Sequence, residues 1–118
     1  MRKTFAAHGG FIMNLKERAK SGEMVCGTMI RTVRNSSVVC LAKHAGLDFV
    51  MFDCEHGVFT TETLHDMCMT GMALGLECFA RVPTGTKDYI SRILDCGASG
   101  IMTPMTETVE QAKTLVHY

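Results

Sequence analysis

Three times in this chain a helical apolar pattern closes on a glycine and an apolar run follows within two residues. Gly46 precedes Asp48-Phe49, Gly75 precedes Leu76, and Gly97 precedes Ser99. A glycine just past a helix can take the left-handed conformation that ends it. Strands that alternate with helices in this way cannot be joined as hairpins, and they imply a parallel sheet built from right-handed crossovers.

The patterning predicts a short helix over Asn14 to Ser21, stopped by Gly22, and a first strand over Met24 to Ile30. Asn35 or Ser36 caps a helix carrying Val38, Val39, Leu41, Ala42 and Ala45, and a central strand follows from Asp48. Thr60 or Thr61 opens a helix whose Leu64, Met67, Cys68, Gly71 and Met72 form one apolar stripe. A strand over Leu76 to Val82 leads to a helix capped by Thr86, with Tyr89, Ile90, Ile93 and Leu94. A strand over Ser99 to Thr103 leads to a last helix from Thr106, with Val109, Ala112, Leu115 and Val116.

These are about four βα units. A (β/α)₈ barrel needs eight and typically about 250 residues. A doubly wound domain of the flavodoxin or response-regulator kind needs five strands and nearly fits the 118 residues. Patterning alone leaves both open. A half barrel by itself would carry its first and fourth strands as open edges, and such a piece should be poorly stable or associate.

Residues 1–12 stand apart. Arg2 and Lys3 precede Phe5-Ala6-Ala7, but His8-Gly9-Gly10 breaks the apolar part, which is too short for a secretory signal. This stretch reads as a flexible extension, with Met13 an alternative start and residues 13–118 the folded unit. Twelve basic and twelve acidic residues are interspersed, with no basic stripe, which argues against a nucleic-acid partner. No long apolar run suggests a membrane span. The six cysteines are never closer than ten apart, so no C-x-x-C pair exists. Reduced thiols in a cytoplasmic protein are the expectation.

Chemistry concentrates where the central strand ends. Phe49-Val50-Met51-Phe52 is apolar, and Asp53-Cys54-Glu55-His56-Gly57 follows at once. In α/β proteins the carboxyl ends of parallel strands are where ligands and catalytic groups collect. His56 is placed to move a proton near neutral pH, with Asp53 and Glu55 framing the same loop mouth. A carboxylate contact would raise the basicity of the histidine. Considered alone, His56 could equally be a loop histidine bonded to a backbone carbonyl.

Arg81 ends an otherwise apolar strand, a costly place for a guanidinium unless it meets an anion. It could stabilise a carboxylate or an enolate, or form a structural salt bridge to Asp53 or Glu55; the two roles are compatible. Asp95 falls in the last turn of a helix, where its charge opposes the helix dipole, on the face remote from its own strand ends. By position it is a surface acid, or it serves a neighbouring subunit.

Two further patterns carry little. Gly22-x-x-x-x-Gly27-Thr28 lacks the lysine of a phosphate loop, and Pro83-Thr84-Gly85-Thr86-Lys87 is a turn into a helix N-terminus. His8, His44, His65 and His117 have no metal-ligand spacing.

Taken together, Phe52-Asp53-Cys54-Glu55-His56-Gly57, Ala80-Arg81-Val82-Pro83, Ile93-Leu94-Asp95-Cys96-Gly97-Ala98 and Ile101-Met102-Thr103-Pro104-Met105 resemble the HpcH/HpaI aldolase family. Asn14-Leu15-Lys16-Glu17-Arg18 and Thr108-Val109-Glu110-Gln111-Ala112 follow the same style, so the resemblance covers roughly Met13 to Tyr118. It implies a (β/α)₈ barrel of the phosphoenolpyruvate/pyruvate type, of which about the first four βα units are present. It also implies divalent-metal-dependent, class II cleavage of a 4-hydroxy-2-oxo acid to pyruvate and an aldehyde, by a cytoplasmic homo-oligomer.

Under the resemblance His56 matches the proton acceptor and Arg81 the residue that stabilises the enolate. Asp95 matches an aspartate that raises the basicity of that histidine across a subunit contact, and Asp53 and Glu55 are supporting residues. The family's two metal-ligating carboxylates come from later strands, so the ligands for Mg²⁺, Mn²⁺ or Co²⁺ are expected beyond Tyr118. This chain alone is expected to be inactive.

Overall fold

The computed structural model describes residues 14–118 and, before them, only the backbone of two short antiparallel strands, β1 (Thr4–Phe5) and β2 (Phe11–Ile12). The expected flexible extension over residues 1–12, like Met13, otherwise lies outside the described residues.

Helix α1 (Leu15–Lys20) starts at a capping box. Asn14 Oδ1 accepts from Glu17 N at 2.9 Å, and Glu17 Oε2 accepts from Asn14 N at 3.2 Å. Arg18 donates to Asp48 at 2.7 Å, and the other oxygen of Asp48 accepts from Cys26 N at 2.8 Å. One carboxylate thereby ties the first helix to the entry of the first two strands of the main sheet.

Those strands are β3 (Gly27–Ile30) and β4 (Phe49–Asp53), followed by β5 (Glu77–Arg81) and β6 (Gly100–Met102). Strand β3 begins three residues later than its apolar run suggests. Opposite Met24 and Val25 the chain is still turning at Gly46 (φ 79°), so no partner strand lies there. Helices α2 (Ser37–His44), α3 (Thr61–Leu74) and α4 (Lys87–Asp95) connect successive strands, and α5 (Val109–His117) follows β6. Gly75 and Gly97, at φ 64° and 98°, end α3 and α4 in the left-handed region expected of them. The last helix starts at Val109 rather than after Thr106. Thr108 and Gln111 form the capping box, while the Thr106 hydroxyl is engaged with that of Thr103 at 3.1 Å.

The sheet order is β3-β4-β5-β6, and every pairing is parallel. Helix α2 packs on α3 and α3 on α4, so the helices share one face. Sequential order with helices on one face is the winding of a (β/α)₈ barrel. A doubly wound sheet reverses its strand order and carries helices on both faces. The doubly wound alternative is therefore overturned. The chain is an α/β fold of the barrel type and contains part of the barrel.

The core lies between sheet and helices. Ile30, Val50, Phe52, Cys78 and Ala80 meet Val39, Leu64, Met67, Cys68 and Ile93, all nearly inaccessible to solvent. Alternation sends Met29, Phe49, Met51, Phe79 and Met102 to the opposite, helix-free face. There the Phe49 and Phe79 rings meet edge to face at 5.6 Å. Gly27 and Gly100 make room for them, since a Cβ at either would reach the rings at 2.5 and 2.9 Å. In a closed barrel this face is the interior. Here it stays half open, with Met29 47% and Met102 43% exposed.

Candidate active site

Asp53 and Arg81 are register partners, the last residues of β4 and β5. Their side chains meet in a two-pronged pair at the carboxyl edge of the sheet. Arg81 Nε donates to Asp53 Oδ1 at 3.1 Å, and Nη2 donates to Oδ2 at 2.8 Å. The Asp53 side chain is 1% exposed and that of Arg81 25%. Burial of a carboxylate is tolerable only with such a partner. The guanidinium holds the Asp53 carboxyl down to about 2, against the opposing effect of burial. The same pair pushes the Arg81 pKa up.

Asp53 also shapes the loop that leaves β4. Its Oδ1 accepts from the backbone N–H groups of Glu55 and His56, each at 3.1 Å. The chain thus turns around the carboxylate, and Gly57 closes the turn against backbone. A Cβ there would collide with the Asp53 carbonyl and approach that of Arg31 at 2.8 Å. The result places Glu55 Oε2 3.2 Å from Arg81 Nε. His56 extends outward, 56% exposed, with Nε2 3.6 Å from Glu55 Oε1. That separation is an electrostatic contact rather than a hydrogen bond.

Four of the five residues expected at the site are therefore together: Asp53, Glu55, His56 and Arg81. The salt bridge foreseen for Arg81 exists, and it reaches both acids. Nη1 makes no hydrogen bond among the described residues, so one edge of the guanidinium is uncommitted. Asp95 is not part of this group. It is the last residue of α4, at the edge where β6 begins, a strand length from His56; at about 3.3 Å per residue that is more than 10 Å. Within this chain it cannot touch the histidine.

Arg31 was not foreseen. It lies one residue beyond β3, donates from Nε to the His56 carbonyl at 3.2 Å, and stands 4.0 Å from Asp53 Oδ2. Its position was readable in principle, because Arg31 follows a strand as Asp53 and Arg81 end theirs. Their lateral order depends on register, which the sequence does not state.

A phosphoacceptor role for Asp53, which a fold of the response-regulator kind would imply, does not fit this geometry, since its oxygens are buried and paired. A divalent ion does not fit the donors present either. Among the described residues no group of three or more His, Cys, Asp or Glu side chains is placed to hold a metal. Asp53 and Glu55 face a guanidinium, and burial pushes the Cys54 thiol up to about 11.

Fold and edge together define a class: a singly wound barrel segment with a histidine, an arginine and two carboxylates at the strand ends. A family model described as HpcH/HpaI aldolase/citrate lyase matches residues 30–118, and the chain belongs to that family. It is 35% identical over 86% of its length to a 4-hydroxy-4-methyl-2-oxoglutarate aldolase of Hapsidospora irregularis, spanning 38% of that protein. It is 31% identical to a hydroxypyruvate/pyruvate aldolase of Roseobacter denitrificans, over 86% of this chain and 39% of that one. Among solved structures, an HpcH/HpaI aldolase from Desulfitobacterium hafniense superposes with a TM-score of 0.83 at 31% identity, over 89% of this chain and 40% of that one. Macrophomate synthase gives 0.73 at 30% identity, over 87% of this chain and 36% of that one. The chain thus spans well under half the length of these relatives.

Proposed function

We propose that this chain supplies the proton-transfer corner of a class II aldolase that cleaves a 4-hydroxy-2-oxo acid to pyruvate and an aldehyde. The observation that carries the reading is the Asp53–Arg81 pair at the strand ends, which holds the His56 loop and leaves Arg81 Nη1 open beside it. His56, acting directly or through a water, takes the proton of the C4 hydroxyl. The C3–C4 bond breaks, C4 becomes the aldehyde carbonyl, and the electron pair moves into the C2–C3 enolate. Arg81 offers its remaining N–H groups to the enolate oxygen, where a fixed cation stabilises the developing charge. Protonation at C3 then gives pyruvate.

Glu55 supports His56 by its charge, and Asp53 orients both Arg81 and the loop. Asp95 acts, on this reading, on the His56 of a neighbouring subunit in a homo-oligomer. The divalent ion is assigned to ligands outside these 118 residues, so the chain alone is expected to lack activity. A cytoplasmic setting fits the free cysteines, and no described helix is long and apolar enough to cross a membrane.

The test is pyruvate release from a 4-hydroxy-2-oxo acid by a form of the protein that carries the remaining barrel strands. His56→Ala should lower turnover by about 10²–10⁴-fold with metal content unchanged. Turnover that survives the substitution would remove His56 from the mechanism. Wild-type turnover that survives a chelator would remove the metal.

A further inference from the structure

The His56 side chain is 56% exposed, and its nearest partner is Glu55 at 3.6 Å. No hydrogen bond among the described residues fixes the imidazole, so its placement must come from the backbone that carries it. That backbone is held at both ends. Its N–H donates to Asp53 Oδ1 at 3.1 Å, and its carbonyl accepts from Arg31 Nε at 3.2 Å. Holding the two groups that flank one Cα restricts its φ and ψ, and with them the direction of the Cα–Cβ bond.

Arg31 is tied to this loop in two further ways. Its guanidinium stands 4.0 Å from Asp53 Oδ2, on the side of Asp53 opposite Arg81. Its own carbonyl packs against Gly57, where a Cβ would come within 2.8 Å. The bland alternative is a solvated strand-end arginine, and the side chain is indeed 62% exposed. The side chain's hydrogen bond to the His56 carbonyl and its approach to the buried Asp53 carboxylate outweigh it.

We propose that Arg31 is a positioning residue for His56, clamping the His56 carbonyl from the neighbouring strand while Asp53 holds the N–H. As a role in catalysis this rests on reading His56 as the base; as a statement about the loop it does not. The experiment therefore uses the 118-residue chain and no turnover assay, so it can fail independently of the aldolase reading.

Amide exchange and the His56 side-chain couplings are followed by NMR in wild type, Arg31→Gln and Arg31→Lys. Loss of one hydrogen bond to a charged donor should speed exchange at His56 by about tenfold or more and average its χ1 couplings. Phe52 and Ala80, in the buried ladder, should keep wild-type exchange. Arg31→Lys keeps the charge but not the Nε donor and should behave like Arg31→Gln. Unchanged exchange at His56 in Arg31→Gln overturns the proposal. So does full recovery in Arg31→Lys, which would show that any cationic donor at this position suffices without the Nε clamp. Equal acceleration at Phe52 and Ala80 would mark Arg31 as a general stabiliser and overturn it too.

Discussion

Replacing Asp53 by Asn removes one charge and changes almost no volume, so its effect isolates the ion pair. The Asp53 carboxylate is 1% exposed and doubly bonded to Arg81. Removing one member of a buried pair costs about 3–5 kcal/mol, because the other is left uncompensated. Arg81 is 25% exposed and keeps Glu55 Oε2 at 3.2 Å, so the lower end, about 3 kcal/mol, is expected. The amide oxygen can still accept from Glu55 and His56, which keeps the loop turn.

The cost should depend on pH. The folded-state pKa of Asp53 is depressed to about 2, so its contribution is present above the unfolded value near 4 and is lost as pH falls through about 2. Glu23 and Asp48 are also depressed. Arg18 holds Glu23 down, and the Cys26 N–H followed by Arg18 holds Asp48 down. Both act equally in wild type and variant and cancel in the difference. Urea unfolding at pH 7, 5, 3 and 2 should therefore give a gap of about 3 kcal/mol that persists to pH 5 and closes toward pH 2. An Asn variant within about 1 kcal/mol of wild type at pH 7, or a gap unchanged at pH 2, would refute the reasoning.

Gly57→Ala should cost about 1–3 kcal/mol and displace the His56 loop, because the new methyl meets two backbone carbonyls that cannot yield; an unchanged melting temperature would contradict the packing described. Thiol labelling at pH 8 should show two fast cysteines, Cys26 and Cys40, which are exposed. Burial raises the pKa of Cys54 and Cys96, the neighbouring Cys78 thiol raises that of Cys68, and Cys78 itself is buried, so a third fast thiol would mean that the core is looser than this packing.

Much of the site was legible because its residues violate the pattern around them. Asp53 and Arg81 are charges at the ends of apolar runs, and Glu55 and His56 follow in a loop that Gly57 closes. Arg31 is not distinctive in the sequence, because an arginine after a strand is ordinary until its neighbour across the sheet is known. Asp95 was placed from helix position alone, and the fold puts it at the far edge, where only another chain could bring it to a histidine.

Element type and order, the three helix-ending glycines and the strand-end charges were determined locally, by periodicity, capping and the φ that only glycine takes easily. Barrel versus doubly wound was not, since both use the same βα units. Only the sequential, one-sided packing of the sheet decided it. The site depended on tertiary structure in the same way. Residues 31, 53 and 81 become neighbours through parallel register alone, and only there do two guanidiniums and a buried carboxylate fix the loop that carries His56.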